Sequence, residues 1–449
     1  MESFLFVIVV FLLFTFFFKK AAGTLNVTKL NMISTLYYFI LFFHLIGGSL
    51  VFLGSREHYL IQKIAGADTI TITYYSLAYC VTVFPLFIFL THFVCKSLYR
   101  GYKTTNDFIK ETVFYNRNMK SIQALMIFLS AICLLATAYV FFVLGRIPGL
   151  DIIRGGDINI LRQAAGRYFS GNQYIKNIFM LMLTPFLSYY AYIYYLISKG
   201  KLWKRIFVLL TVLSVIVVTY DFSKAPIIHY MLGIYLINVM LGRVHNSKQL
   251  KKLLVISCGI VLFFYIVMMD VSINSIVSLY SGPMGRILFT ESAVLFLYFD
   301  TFPVLHPFLE GASFNSWFSF LIPNASGLRS GRVVMEAYNK AGIEAGTAGV
   351  MNTLFIGEAY ANYGIWGFLI APVIFGIVIG LVSFFLSHLQ KRPATILLYV
   401  ELTLAYTHIM LGGFVEIFYS AQVVLMVLLT ILLDLVAGQK NSLGLQRKI

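Results

Sequence analysis

Runs of about 17 to 25 predominantly apolar residues recur along almost the whole chain, separated by short polar stretches that hold most of the lysines. A helix rises 1.5 Å per residue, so a run of that length matches the hydrocarbon thickness of a bilayer. Only helices and closed barrels satisfy their own backbone there. The pattern predicts an all-α, polytopic transmembrane helix bundle of about eleven spans. They fall at residues 2–18, 32–53, 70–95, 121–145, 178–198, 206–220, 225–241, 253–270, 364–388, 394–412 and 414–437. Residues 203–241 are too long for one straight crossing, and Asp221-Phe222-Ser223-Lys224-Ala225-Pro226 interrupts them, which predicts two helices. The first apolar run, 4–18, has no basic residue before it and no small-residue cleavage site after it, so a retained helix is expected rather than a signal peptide. No stretch reads as a soluble unit, and residues 1–449 are taken as a single integral membrane domain.

Composition agrees. Of 449 residues, 59% are hydrophobic and 12% charged, about half the charged share of a soluble domain. The net charge of +16 would suggest nucleic acid on a soluble chain. On a membrane chain it reads as lysine and arginine in cytoplasmic loops, and no nucleic-acid partner is expected. With the amino terminus outside and the carboxyl terminus cytoplasmic, 22 of the 34 basic residues lie in inner loops and 12 outside, as the positive-inside rule favours. Only 6 of the 22 are arginine, against 8 of the 12: Arg56, Arg146, Arg154, Arg162, Arg167, Arg286, Arg329 and Arg332. Lysine serves topology equally well. Arginine on the disfavoured side points either to bidentate grip on phosphate or carboxylate, or to loop salt bridges.

This orientation leaves two long outer loops, about 146–177 and 271–363, as the active face. Trp317, many Phe and Tyr, and apolar stretches such as 287–297 predict partly helical loops, with short amphipathic or half-membrane helices lying over the bundle. There is no phosphate-binding Gly-x-x-x-x-Gly-Lys loop, no His-Glu-x-x-His helix and no Asp-x-Asp. Cys80, Cys95, Cys133 and Cys258 lie in apolar runs without a Cys-x-x-Cys pair, which predicts neither disulfide nor metal. No cofactor and no metal are therefore expected, and an anionic leaving group would fall to arginine and lysine.

Several residues are candidates for that chemistry. Arg146, Arg154, Arg162 and Arg167 stand among glycines that let backbone approach a ligand, although Asp151 and Asp157 would equally neutralise them. Lys224 precedes a helix start, an anion site beside an ammonium, or simply snorkels outward. Arg286 follows Gly285 and opens a helical run containing Glu291. His306, between Pro303 and Pro307, is held in a stiff segment and titrates near neutrality as a base, or is structural. Arg329 and Arg332 flank Gly331 as a clamp. Glu358 and Asn362 share a helix face four residues apart, near the interfacial aromatics Tyr360, Tyr363 and Trp366. Within the membrane, Glu401 and His408 are seven apart, suited to proton coupling or to hydrogen bonds between helices.

Taken together, the arginine-rich loop 146–167, the Asp-Phe-Ser-Lys-Ala-Pro break, the long segment with Arg286, and Gly-Glu-Ala-Tyr-Ala-Asn-Tyr-Gly at 357–364 resemble the Wzy-type polymerases of O-antigen and capsular repeat units. These belong to the membrane glycosyltransferase class that includes the O-antigen ligases. The ligase-like Thr-Gly-Ser-Arg pattern would correspond to 221–224, where Lys224 stands in place of the commoner arginine. The resemblance implies a glycosyltransferase in the bacterial cytoplasmic membrane that joins undecaprenyl-pyrophosphate-linked oligosaccharides without metal, with membrane lipid and, optionally, a chain-length regulator protein as partners. It implies catalytic roles for Arg286, Glu358, His306 and Glu291, and substrate binding by Arg146, Arg154, Arg162, Arg167, Lys224, Arg329, Arg332 and Asn362. A flippase of the same lipid-linked sugar is the alternative from another class, although no internal repeat is evident. An O-antigen ligase would differ only in its acceptor.

Overall fold

The computed structural model describes residues 2–115, 119–145, 169–221, 223–263, 266, 273–346 and 348–438. Among them all regular structure is helical. Five helices long and apolar enough to cross a membrane come first: α1 (Glu2–Ala22), α2 (Met32–Phe52), α3 (Thr69–Leu98), α4 (Lys120–Leu144) and α5 (Ile175–Ser198). Then come α6 (Lys201–Val218), α7 (Ala225–Met240) and α8 (Lys248–Phe263), followed by two short helices, α9 (Glu291–Thr301) and α10 (Ser330–Tyr338). Three more long apolar helices end the chain, α11 (Ile356–His388), α12 (Pro393–Gly412) and α13 (Ala421–Val436). Eight of the eleven spans expected from the sequence fall on helices long and apolar enough to cross a membrane. Those at 206–220 and 225–241 fall mainly on the shorter α6 and α7, and α8 covers 253–263 of the span expected at 253–270, most of whose remainder lies outside the described residues.

The connections sort to two faces. On one, Lys391 Nζ donates to the carbonyls of Ile109 and Glu111 at 2.6 and 3.0 Å, Lys103 pairs with Glu111 at 2.6 Å, and Arg392 pairs with Asp434 at 2.8 Å. This is the lysine face. The other, the loop face, carries 53–68, 273–355 and 413–420. Asp300 ties it together: Ala65 N, Gly66 N and Thr69 Oγ1 donate to its carboxylate at 3.0, 2.8 and 3.0 Å, and the Tyr338 hydroxyl at 2.5 Å. Burial alone would raise this carboxyl, but these four donors outweigh it and hold the group below the usual range.

Small residues set the closest helix contacts. Gly376 and Gly380, four apart on α11, face Phe84, Phe87 and Thr91 of α3 so closely that a Cβ at either would meet them at 2.6–2.7 Å. This is the small-residue packing expected of membrane helices, where backbones approach for want of a hydrophobic drive. α12 lies deepest, and α13 is the most peripheral of the long helices.

One expectation changes here. The apolar run 287–297 is expected in short amphipathic or half-membrane helices lying over the bundle; α9 is short, but the bundle encloses it. Ser292 to Thr301 are all buried, among α2, α3 and α11. With no polar stripe, that helix has no face to offer water. At 11 residues it is about 16 Å long, half a crossing. A π-turn (Arg286–Thr290) leads into it, and Gly47 of α2 fits against the Leu288 carbonyl with no room for a Cβ. α10 instead keeps Glu336 and Ala337 exposed and buries Ser330, Gly331, Val333 and Val334.

Candidate functional site

The sequence 357–364 forms the first two turns of α11, eight residues before the span start at 364 expected from hydropathy. Gly364 bends the helix there with φ +59°. Those two turns are held by Asn362. Its Oδ1 accepts from Gly311 N at 3.1 Å, and its Nδ2 donates to Ser313 Oγ at 3.0 Å and to the Glu358 carbonyl at 2.9 Å. Leu309 N and Glu310 N donate to the carbonyls of Ala361 and Asn362 at 2.9 and 3.0 Å. The segment after α9 is thereby clamped onto the start of α11.

Clamping directs Glu358 inward. Its Oε2 accepts from Val415 N at 3.0 Å, and its Oε1 from Ser330 Oγ at 3.3 Å. Ser330 Oγ in turn lies 3.1 Å from the Tyr298 hydroxyl of α9. Two segments distant in sequence thus converge on one carboxylate, with α9 behind the second.

A second acid stands beside it. α12 ends at Gly412-Gly413, and Gly413 has φ +141°, a region that side chains rarely enter. A Cβ on Gly413 would overlap Glu358 Oε2, and one on Gly412 would lie 2.6 Å from Glu416 Oε2. Two carboxylates therefore press against consecutive glycines, close enough to act on one another electrostatically. Arg329, exposed at the start of α10, and His408, one turn before the glycines, are both in electrostatic range of Glu416. His408 is exposed although α12 is otherwise mostly buried, and His229 of α7 lies in its range. Paired carboxylates with a guanidinium and an imidazole beside them can take a proton from a hydroxyl and oppose negative charge developing nearby.

The structure brings Glu358 and Arg329 into one niche and distributes the other candidates. Asn362 is fully buried with its amide engaged, so its position makes it a clamp and not an exposed ligand group. Arg332 pairs with Glu336 at 3.2 Å. Arg286 opens the π-turn, exposed, where its charge acts on His58. Burial first, and Arg286 second, lower the His58 imidazole to about 4. Glu291 has one carboxylate oxygen buried without a hydrogen-bond partner, and burial raises it to about 7. Its carbonyl accepts from Thr353 Oγ1 at 2.9 Å. His306 bonds Pro307 O through Nδ1 at 2.7 Å and meets the Phe302 ring edge-on, away from the partners of Glu358 among the described residues. Lys224 takes the N-cap position of α7, after Asp221 folds its carboxylate onto Ser223. Arg146, Arg154, Arg162 and Arg167 lie outside the described residues, and no group of three or more His, Cys, Asp or Glu suited to a metal occurs among the described residues. The cysteines Cys80, Cys95, Cys133 and Cys258 are unpaired.

Sequence reasoning missed Glu416, Ser330 and Tyr298. Glu416 had a usable signal, since an acid just inside an apolar run is a functional candidate by the same rule that picked out Glu401. Gly412-Gly413 before it marked the break. No protein-family model matches this chain, and neither a curated protein nor a solved structure matches it.

Proposed function

We propose that this protein is a metal-independent glycosyltransferase that joins undecaprenyl-pyrophosphate-linked oligosaccharide repeat units into a surface polysaccharide. In this reading it lies in the bacterial cytoplasmic membrane with its loop face outside, its amino terminus outside and its carboxyl terminus cytoplasmic. The observation that carries the reading is the acid pair Glu358 and Glu416, set at the loop-face end of the bundle beside Arg329 and His408. A lipid-linked donor presents its pyrophosphate at the membrane surface and its sugar beyond it, which is the level of this niche. The acceptor hydroxyl attacks the anomeric carbon, and its proton passes to the Glu358 carboxylate. The bond from that carbon to the pyrophosphate oxygen breaks, and its electron pair leaves with undecaprenyl pyrophosphate. Arg329 opposes the charge that develops on the leaving oxygen. The sequence has no Asp-x-Asp to hold a divalent ion on a diphosphate, so this charge is assigned to a guanidinium group.

The test is incubation of the purified full chain with a lipid-linked repeat unit, without ATP and with excess chelator. A ladder of longer lipid-linked products is expected. Addition of a single block only to a different acceptor would mark a ligase, and movement across the membrane without bond formation would mark a transporter; either result overturns the proposal.

A further inference from the structure

On the lysine face, a cavity of about 250 Å³ opens where α1, α3 and α11 end together. Its cations are Lys20, Lys96 and Lys103, and no acidic residue lines it. Lys103 is already paired with Glu111, whereas Lys20 and Lys96 are exposed and form no ion pair among the described residues. Thr105 and Asn106 add polar groups to the wall, and Asp107, which does not line the cavity, accepts from Thr104 N and Oγ1 at 2.9 and 2.7 Å. The opposite wall is aromatic. Phe93 lines the cavity and is 63% exposed, and the exposed Leu90 and Val94 (39% and 50%) continue its apolar surface along α3.

We infer that this cavity holds the headgroup of an anionic phospholipid, its phosphate between Lys20 and Lys96 and its acyl chain along Phe93 of α3. Three observations support that occupant over a free anion. The cavity sits where three membrane-length helices end, at headgroup depth; its charge is complementary to a phosphate; and its apolar wall continues along a helix face that would be costly in water. The neighbouring cavity, lined by Lys29, Lys110 and Lys391, is a weaker candidate. Its most buried cation is already held by two carbonyls, and Glu111 offsets its charge.

The test measures the melting temperature of the full chain in a neutral detergent. Dioctanoyl phosphatidylglycerol should give a saturable rise of about 2–5 °C, and dioctanoyl phosphatidylcholine much less. Glycerol 3-phosphate, which has the anion without the chains, should give none. A Lys20→Gln/Lys96→Gln variant should need at least about 10-fold more phosphatidylglycerol for the same rise. A Lys201→Gln/Lys204→Gln variant, which removes equal charge from α6, should behave as wild type. Equal rises with both lipids, an equal rise with glycerol 3-phosphate, or equal losses in both variants would overturn the inference. If the cavity variant does not fold, native mass spectrometry of the unaltered protein from nanodiscs of equal phosphatidylglycerol and phosphatidylcholine decides. Preferential retention of phosphatidylglycerol supports the site, and equal retention refutes it.

Discussion

Asp300 and Glu358 both lie inside the loop face, on helices that begin or end there, and both accept bonds from segments far away in sequence. Their surroundings differ in kind. Asp300 is alone, with four neutral donors pointing at it. Glu358 has a second carboxylate, Glu416, pressed against the adjoining glycine, and Glu416 in turn has a guanidinium and an imidazole in range. A carboxylate that only fastens loops is best left without a like charge nearby, because like charges disfavour ionisation and cost stability. An acid pair is a burden to a fold and an asset to proton transfer. Under the proposed function Asp300 is architectural and Glu358 takes the proton, and either role can be broken by substitution.

The largest effect is expected at Glu358. Glu358→Gln keeps the shape and one accepting oxygen but cannot take a proton, so polymerisation should fall about 100- to 1000-fold. Its melting temperature in detergent should stay within a few degrees of wild type. Loss of folded protein with normal turnover per folded molecule would reverse the assignment and make Glu358 another Asp300.

Asp300→Ala should do the opposite. It leaves two backbone N–H groups and two hydroxyls without their acceptor, at a cost of about 3 kcal/mol. A lower melting temperature and less protein in the membrane are expected, with near-normal activity in the fraction that folds. Asp300→Asn keeps one accepting oxygen and should fall between. A stable but inactive Asp300→Ala would show that the tie itself belongs to the active machinery.

The two regions were unequally legible in the sequence. The spans were, because a bilayer demands apolar runs of fixed length whatever the packing. The Asp221-to-Pro226 break was legible for the same reason, since 203–241 exceeds one crossing. What α9 does was not legible, because a short apolar helix reads alike whether it lies on a bundle or inside one; Gly47 fitting against Leu288 decides it, and that contact joins residues about 240 apart. Glu358 was found as a polar residue opening an apolar helix. Its partner Glu416 is 58 positions away, and the two meet where Gly412 and Gly413, lacking Cβ atoms, leave room for both carboxylates. Sequence alone does not separate the two roles open to Asn362, since an amide one turn from Glu358 is equally suited to binding sugar and to clamping a loop. The difference lies in Gly311 and Ser313, which local sequence does not place opposite it.

The smallest effect separates Glu291 from both. Its carboxyl is buried like that of Asp300 but has one oxygen without a partner, and burial alone sets its shift. Burial raises it from 4.5 to about 7 in the folded protein. Between those values the native state binds more protons than the unfolded chain, so stability falls as pH rises from about 4.5 through about 7 and stays lowered above. The penalty well above pH 7 is on the order of 3 kcal/mol. Glu291→Gln removes the ionisation and should melt higher than wild type at pH 8, by a few degrees, while matching it near pH 4.5. The proposed chemistry assigns a proton to Glu358, so turnover at pH 7 should change less than about 3-fold. A loss as large as that of Glu358→Gln, with the pH slope of melting unchanged, would move Glu291 into the reacting set that the resemblance to the polymerases implies for it, and would leave Asp300 as the only purely architectural acid of the three.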